Sequence, residues 1–263
     1  MPSETDLKIL KKHISIAQST HFSEDKPNKK RKKNLKPQQD EGLQKQHFKL
    51  KKISPLTENQ KLGFSAWANG DNLMLHGLAG TGKSFISLYL AFKELFQNNS
   101  YYKNIVIIRS VVPTRDMGFL PGNLKEKAKV YELPYQSICT ELFDRGDSYE
   151  LLKTKRVVDF MTTSFIRGNT FHDSIIIVDE VNNMTFHELD SVITRLGNNC
   201  RIIMCGDYRQ SDLKTHEKDG LLTFMSVVNK MSAFYHIDFG IDDIVRSGLV
   251  KEYIIAKNEL GLT

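Results

Sequence analysis

Eight consecutive residues, Gly77-Leu78-Ala79-Gly80-Thr81-Gly82-Lys83-Ser84, follow the pattern G-x-x-x-x-G-K-[ST]. In that spacing the glycines let the backbone curl until its N–H groups point inward at a phosphate chain, the lysine reaches the β- and γ-phosphates, and the last hydroxyl ligates Mg²⁺. Residues Gly77, Leu78, Ala79, Gly80, Thr81, Gly82, Lys83 and Ser84 are therefore candidate ligands for ATP or GTP, with Ser84 also a candidate metal ligand. A second set is Ser174-Ile175-Ile176-Ile177-Val178-Asp179-Glu180, an apolar run that ends in two carboxylates. Asp179 is suited to hold Mg²⁺ through the ion's water shell, and Glu180 to polarise an attacking water as a general base. Alone, an apolar strand ending in Asp-Glu is more often a solvated strand end; the upstream phosphate loop turns it into a candidate site. A third set, Met204-Cys205-Gly206-Asp207-Tyr208-Arg209-Gln210, offers the Gln210 amide to a γ-phosphate or to the water, as a sensor of hydrolysis. Finally Gln60, a short way before the phosphate loop, carries the paired donor and acceptor that an adenine edge requires, the plainer alternative being a solvated helix residue.

These groups need strands and helices to bring them together. Asn72–His76 reads as a short buried strand leading into the loop, and Phe85, Ile86, Leu88, Tyr89, Leu90, Phe92, Leu95 and Phe96 fall at helical spacing after it. Strand, glycine loop and helix in that order aim a helix N-terminus at the phosphates. Further strand-like runs occur at 104–109, 157–161, 174–179, 201–205 and 234–238, and helical patterns at 57–68, 134–144, 185–196, 219–230 and 241–258. Continuous Ile/Val runs alternating with helices predict an α/β fold with a parallel sheet buried on both faces. Ligands of such sheets sit at the carboxyl ends of the strands, so the residues following Leu75, Arg109, Val178 and Cys205 are expected to converge.

Charge divides the chain. Residues 1–52 hold 14 Lys/Arg and 6 Asp/Glu, a net of +8, which leaves 23 and 25 of the 37 and 31 in the whole chain for residues 53–263, a net of −2. The segment Lys26–Pro37 has almost no apolar residue, so disorder is expected from about Ser23 to Leu43. Such a basic arm fits nucleic-acid attraction through phosphate neutralisation, a solvated tail, or a targeting signal. No stretch approaches a membrane span and the N-terminus lacks a signal peptide's apolar segment, so a soluble cytoplasmic protein is expected, without membrane partners. Cys139, Cys200 and Cys205 form no C-x-x-C pair, which argues against a disulfide framework, and no His/Cys cluster has zinc spacing.

The order of the phosphate loop, Asp179-Glu180 and Gly206-Asp207-x-x-Gln210 resembles the PhoH-like ATPases, relatives of the first RecA-like lobe of superfamily-one helicases. The run Gly118-Phe119-Leu120-Pro121-Gly122-Asn123-Leu124-Lys125-Glu126-Lys127 supports the resemblance more specifically than the loop does. So do Ile108–Val112, Phe165–Thr170 and Asp242–Val250. It covers residues 54–262; where the family has Ala-Gln after the acidic pair, this chain has Val181-Asn182. The resemblance implies a single RecA-like P-loop NTPase domain over residues 53–263 behind the basic tail, with ATP and Mg²⁺ as cofactors and RNA or single-stranded DNA as a partner. The short length is similar to that of versions carried by bacteriophages.

Superfamily-one helicases bind ATP between two lobes, the second supplying an arginine to the γ-phosphate, and about 210 residues accommodate one lobe. The resemblance thus implies an arginine supplied by a neighbouring copy, Arg246 first and Arg167 second, in a ring expected to be a hexamer. The connection from Ser110 to Glu132, with Arg115, Lys125, Lys127, Lys129, Phe119 and Tyr131, corresponds to the segment that touches single strands in related helicases, although Asp116 and Glu126 interrupt it. Two functions remain open: an ATPase acting on RNA or single-stranded DNA, and an ATP-dependent switch or assembly scaffold. A small-molecule kinase fits less well, since it requires an acceptor pocket and lid arginines.

Overall fold

A computed structural model of the protein describes residues 48–110, 124–207 and 215–260, with the backbone alone for 124–128 and 215–219. Six strands form one sheet: β1 (Asn72–Gly77), β2 (Asn104–Arg109), β3 (Val158–Thr162), β4 (Ser174–Asp179), β5 (Cys200–Gly206) and β6 (Phe234–Phe239). All neighbours pair in parallel, in the order β3-β2-β4-β5-β1-β6. The helices are α1 (Glu58–Ala68), α2 (Lys83–Leu95), α3 (Leu124–Phe143), α4 (Ser148–Thr154), α5 (Phe186–Ile193), α6 (Thr215–Val228) and α7 (Gly248–Glu259). The RecA-like arrangement is evident in the position of β5 between β1, which feeds the phosphate loop, and β4, which ends in the acidic pair.

Because successive strand side chains point to opposite faces, the apolar runs build two cores. Leu73, Leu75, Ile105, Ile107, Ile175, Ile177 and Ile203 face α2 and α3, packing on Leu88, Phe92, Tyr135 and Leu142. Their neighbours Met74, Val106, Ile108, Ile176, Val178, Ile202 and Met204 face α5 and α6, packing on Leu189, Val192, Leu221 and Phe224. All of β4 is buried, as its unbroken apolar sequence requires.

Three departures from the sequence expectation have local causes. Helix α3 begins ten residues before Pro134, which lies in its interior. Proline removes one backbone donor and favours a helix start, so the expected start at 134 followed the rule, whereas packing carries the helix through it. Helix α4 has no apolar period long enough to announce itself. The expected helix 241–258 is a 3₁₀ turn, Ile241–Asp243, separated from α7 by extended backbone at Ile244.

The basic tail, bounded at residue 52 in the sequence reading, overlaps an extended strap that starts at the first described residue. Phe48 stacks on Phe96 with centroids 6.3 Å apart and meets Phe143 edge-on at 5.6 Å. Lys51 N–H donates to the Leu142 carbonyl at 2.9 Å. Residues 1–47, and so the lysine run, lie outside the described residues. Replacing Phe48 by Ala should lower stability by about 2 kcal/mol, less than a fully buried aromatic because the ring is half-buried. The shift is read from the urea midpoint of the purified chain, and an unchanged midpoint would show the strap to be energetically separate from the domain.

Candidate functional site

The phosphate loop leaves β1 through backbone that only glycine tolerates. Gly77 has φ 121°, and a Cβ there would lie 2.2 Å from the Phe239 carbonyl oxygen, so β6 closes directly over the loop's first residue. Gly80 and Gly82 also have positive φ, 78° and 81°. Gly82 precedes α2 without a side-chain cap, leaving the helix's first N–H groups for an anion. Lys83 curls back beneath the loop, donating to the carbonyls of Gly77 at 2.8 Å and Leu78 at 2.7 Å and to Thr81 Oγ1 at 3.3 Å. Burial lowers its pKa, opposed by Cys205, Asp207, Glu180 and Asp179.

The carboxyl ends of β1, β2, β4 and β5 converge on this loop. Ser84 Oγ donates to Asp179 Oδ1 at 2.9 Å, and Tyr135 Oη donates to Asp179 Oδ2 at 2.9 Å. Asp179 is thus held at both oxygens. Glu180 sits in left-handed backbone at φ 56°, a conformation that costs a non-glycine residue about 1–3 kcal/mol and clusters at functional sites. Its side chain is 41% exposed toward the cleft. Burial raises its pKa and Asp179 adds to this, while Arg109, a hydrogen bond from Asn182 and Lys83 oppose.

Asn182 occupies the gap between two strand ends. Its Oδ1 accepts from Asp207 N at 3.0 Å. A Cβ on Gly206 would lie 2.7 Å from that same oxygen, so glycine is needed for the two strands' ends to approach. Gln210 itself, with Tyr208 and Arg209, lies outside the described residues, as do residues 111–123 and the side chains of Lys125, Glu126 and Lys127.

Gln60 is buried beside the loop with both ends of its amide in use. Oε1 accepts from Leu56 N at 2.8 Å, and Nε2 donates to the Thr81 carbonyl at 3.1 Å. Arg246, which the sequence reading sends to a neighbouring copy, lies here beside the phosphate loop of its own chain. Val245 N donates to the Gly80 carbonyl at 3.0 Å, and this bond fixes the turn before α7 on the loop of the same chain. A Cβ on Gly80 would then meet Arg246 Cγ at 2.9 Å. Arg167 is exposed in the turn after β3, at the opposite edge of the sheet.

Around these groups lies an open cleft of about 1330 Å³, lined among others by Ile53, Leu56, Gln60, Lys83, Asp179 and Arg246. Its size and openness suit a charged nucleotide approached from solvent. Ser84 and Asp179 form an all-oxygen pair at the α2 N-terminus, a donor set that fits Mg²⁺. Two residues that sequence reading gave no role stand in the site: Arg109, signalled only as the cation ending an apolar strand, and Tyr135, with no signal because its approach to Asp179 depends on how α3 packs.

The family model for "PhoH-like protein" matches residues 52–257. A PhoH-like protein of Bacillus subtilis (strain 168) is 31% identical over 209 residues, which cover 79% of this chain and 65% of that protein. Protein PhoH of Escherichia coli (strain K12) is 31% identical over 182 residues, covering 68% of this chain and 51% of that protein. The chain therefore spans between about half and two thirds of the length of these curated relatives. Among solved structures, Pif1 helicase from Candida albicans aligns with TM-score 0.41 and 16% identity, covering 80% of this chain and 44% of that one.

Gln60→Ala should destabilise the nucleotide-free protein by about 1–2 kcal/mol, since it leaves the Leu56 N–H and the buried Thr81 carbonyl without their partner. Urea unfolding in the absence of nucleotide measures it. A side chain used only for base recognition would leave that midpoint unchanged.

Proposed function

This chain belongs to the PhoH-like protein family, and from its site we infer that it binds ATP with Mg²⁺ and hydrolyses it, as an oligomer acting on RNA or single-stranded DNA. The observation that carries this reading is the junction of Ser84 and Asp179 beneath a glycine loop, with Glu180 projecting into the same cleft. The loop's N–H groups and the α2 N-terminus receive phosphate oxygens, and Lys83 exchanges its carbonyl partners for them. Ser84 and Asp179 would hold Mg²⁺, Asp179 through the ion's water shell, and the ion would supply neutralisation of the phosphate charge. Glu180 accepts the proton of the attacking water. Gln60 keeps the loop and strap together at the base end of the cleft, and Gln210 remains assigned as the sensor by sequence.

Arg246 belongs to this same half-site. Its side chain lies against Gly80 of its own loop and lines the same cleft, which supports a contact with the nucleotide that this loop would hold. The cation supplied across an interface then falls to Arg167, exposed at the far edge of the sheet, and a head-to-tail contact that repeats this pairing closes into a ring, with a hexamer as the expected size. The scaffold alternative lacks an observation in its favour, whereas the geometry at Glu180 favours turnover.

Steady-state hydrolysis with and without poly-U and single-stranded DNA tests the reading: stimulation by either polymer is expected, and its absence with both would remove the nucleic-acid part. Glu180→Gln should lower turnover by at least about 100-fold while ATP still binds. Because the raised pKa of Glu180 must be exceeded for it to act as base, the wild-type rate should fall on acidification at a pH above the ordinary glutamate range, and this limb should be missing from the residual rate of Glu180→Gln.

Mixing Lys83→Ala with Arg167→Ala chains should restore activity that neither has alone. Subunit exchange without recovery would sink the interface assignment.

A further inference from the structure

Helix α3 touches Asp179 of the acidic pair directly, and packs against Arg109 of β2, which faces Glu180. Tyr131 and Tyr135 stand four residues apart, one turn, on the face toward β2 and β4. Tyr135 has no solvent exposure and donates to Asp179 Oδ2. The Arg109 guanidinium lies within hydrogen-bonding reach of the Tyr135 oxygen, 5.8 Å from the centre of the Tyr131 ring, with Nη2 4.0 Å from Glu180 Oε1. From behind, Glu132 anchors the helix by accepting from Tyr149 Oη at 2.8 Å and from Lys153 Nζ.

We propose that Tyr135 and Arg109 are positioning residues, the tyrosine fixing the plane of Asp179 for the metal and the arginine aiming Glu180 at the attacking water, with α3 as their common support. The inference rests on the ATP-hydrolysis reading and deepens it. A carboxylate free to rotate about its Cβ–Cγ bond presents either oxygen to an ion. Here one hydroxyl occupies each, Ser84 at Oδ1 and Tyr135 at Oδ2, so rotation would break both bonds. Were Ser84 to turn toward a bound ion, Tyr135 would be the partner that still holds Asp179. Such outer partners of a metal-binding carboxylate are worth about 10–100-fold in metal affinity. Arg109 acts on the other carboxylate, its Nη2 4.0 Å from Glu180 Oε1 and its guanidinium beside the Tyr131 ring. A hydroxyl buried this completely is costly unless bonded, so its retention in the core of α3 has the Asp179 contact as its compensation.

Full-length chains carrying Tyr135→Phe and Arg109→Gln are titrated with a fluorescent N-methylanthraniloyl ATP and the matching ADP, in EDTA and across a Mg²⁺ series, and turnover is followed over the same series. For Tyr135→Phe the Mg²⁺ concentration that half-saturates nucleotide tightening should rise about 10–100-fold, with Mg²⁺-free affinity unchanged and turnover largely recovered at saturating Mg²⁺. For Arg109→Gln, at a partly buried position, turnover should fall about 100-fold at every Mg²⁺ concentration, with unchanged Mg²⁺ demand and an unchanged ratio of ATP to ADP affinity. A Tyr135→Phe chain with normal Mg²⁺ demand, or one weakened equally with and without Mg²⁺, overturns the tyrosine's role. An Arg109→Gln chain that loses affinity for ATP and not for ADP overturns the arginine's, marking it as a phosphate contact. Wild-type chain that shows no Mg²⁺-dependent binding would instead refute the ATP reading itself, which keeps the two failures apart.

Discussion

The buried carboxylate of Asp179 is the constraint around which the site is organised. A charge withdrawn from water to the end of a fully buried strand must have its oxygens satisfied, and the protein does this with two hydroxyls from two different helices. One comes from the first turn of α2, directly after the phosphate loop; the other comes from the middle of α3. Three elements that share no sequence neighbourhood are thereby referenced to one atom group. The loop, the acidic strand and the helix cannot shift independently without leaving a buried oxygen unpaired.

The surrounding fold makes that junction inexpensive. With β5 between β1 and β4, the loop and the acidic pair are separated by a single strand, and Gly206 and Asn182 settle the spacing at its end. On the other side β6 closes over Gly77, where its carbonyl takes the room a side chain would need. Lys83 and Cys205 lie within the same enclosure, and the thiol, bonded to Ser87 at 3.0 Å, has its pKa raised by burial and serves as packing.

Much of this could be read from the chain before it was folded. Six apolar runs announced six strands, because a sheet covered on both faces requires continuous Ile and Val, and the glycine spacing announced the loop. What escaped depended on rotation or on distant partners. The start of α3 was hidden by Pro134, whose local preference was outweighed by the burial of Tyr135, Cys139 and Leu142. Tyr135 meets Asp179 across 44 positions of sequence, a distance at which no spacing rule operates. Arg246 was assigned by analogy to a missing lobe, and its place beside Gly80 of its own loop follows from a backbone bond made by its neighbour Val245, which no spacing rule announces.

That bond has a thermodynamic meaning beyond location. No residue of α7 is buried, so the helix has little packing energy of its own, and its attachment runs through Val245 to the Gly80 carbonyl and through Ile254 beside the same glycine. A change in the helix's position would therefore be felt at Gly80 of the phosphate loop. A ligand that stiffened the loop would share its free energy with α7, and a partner that gripped α7 would, by the same reciprocity, alter the loop's affinity for that ligand.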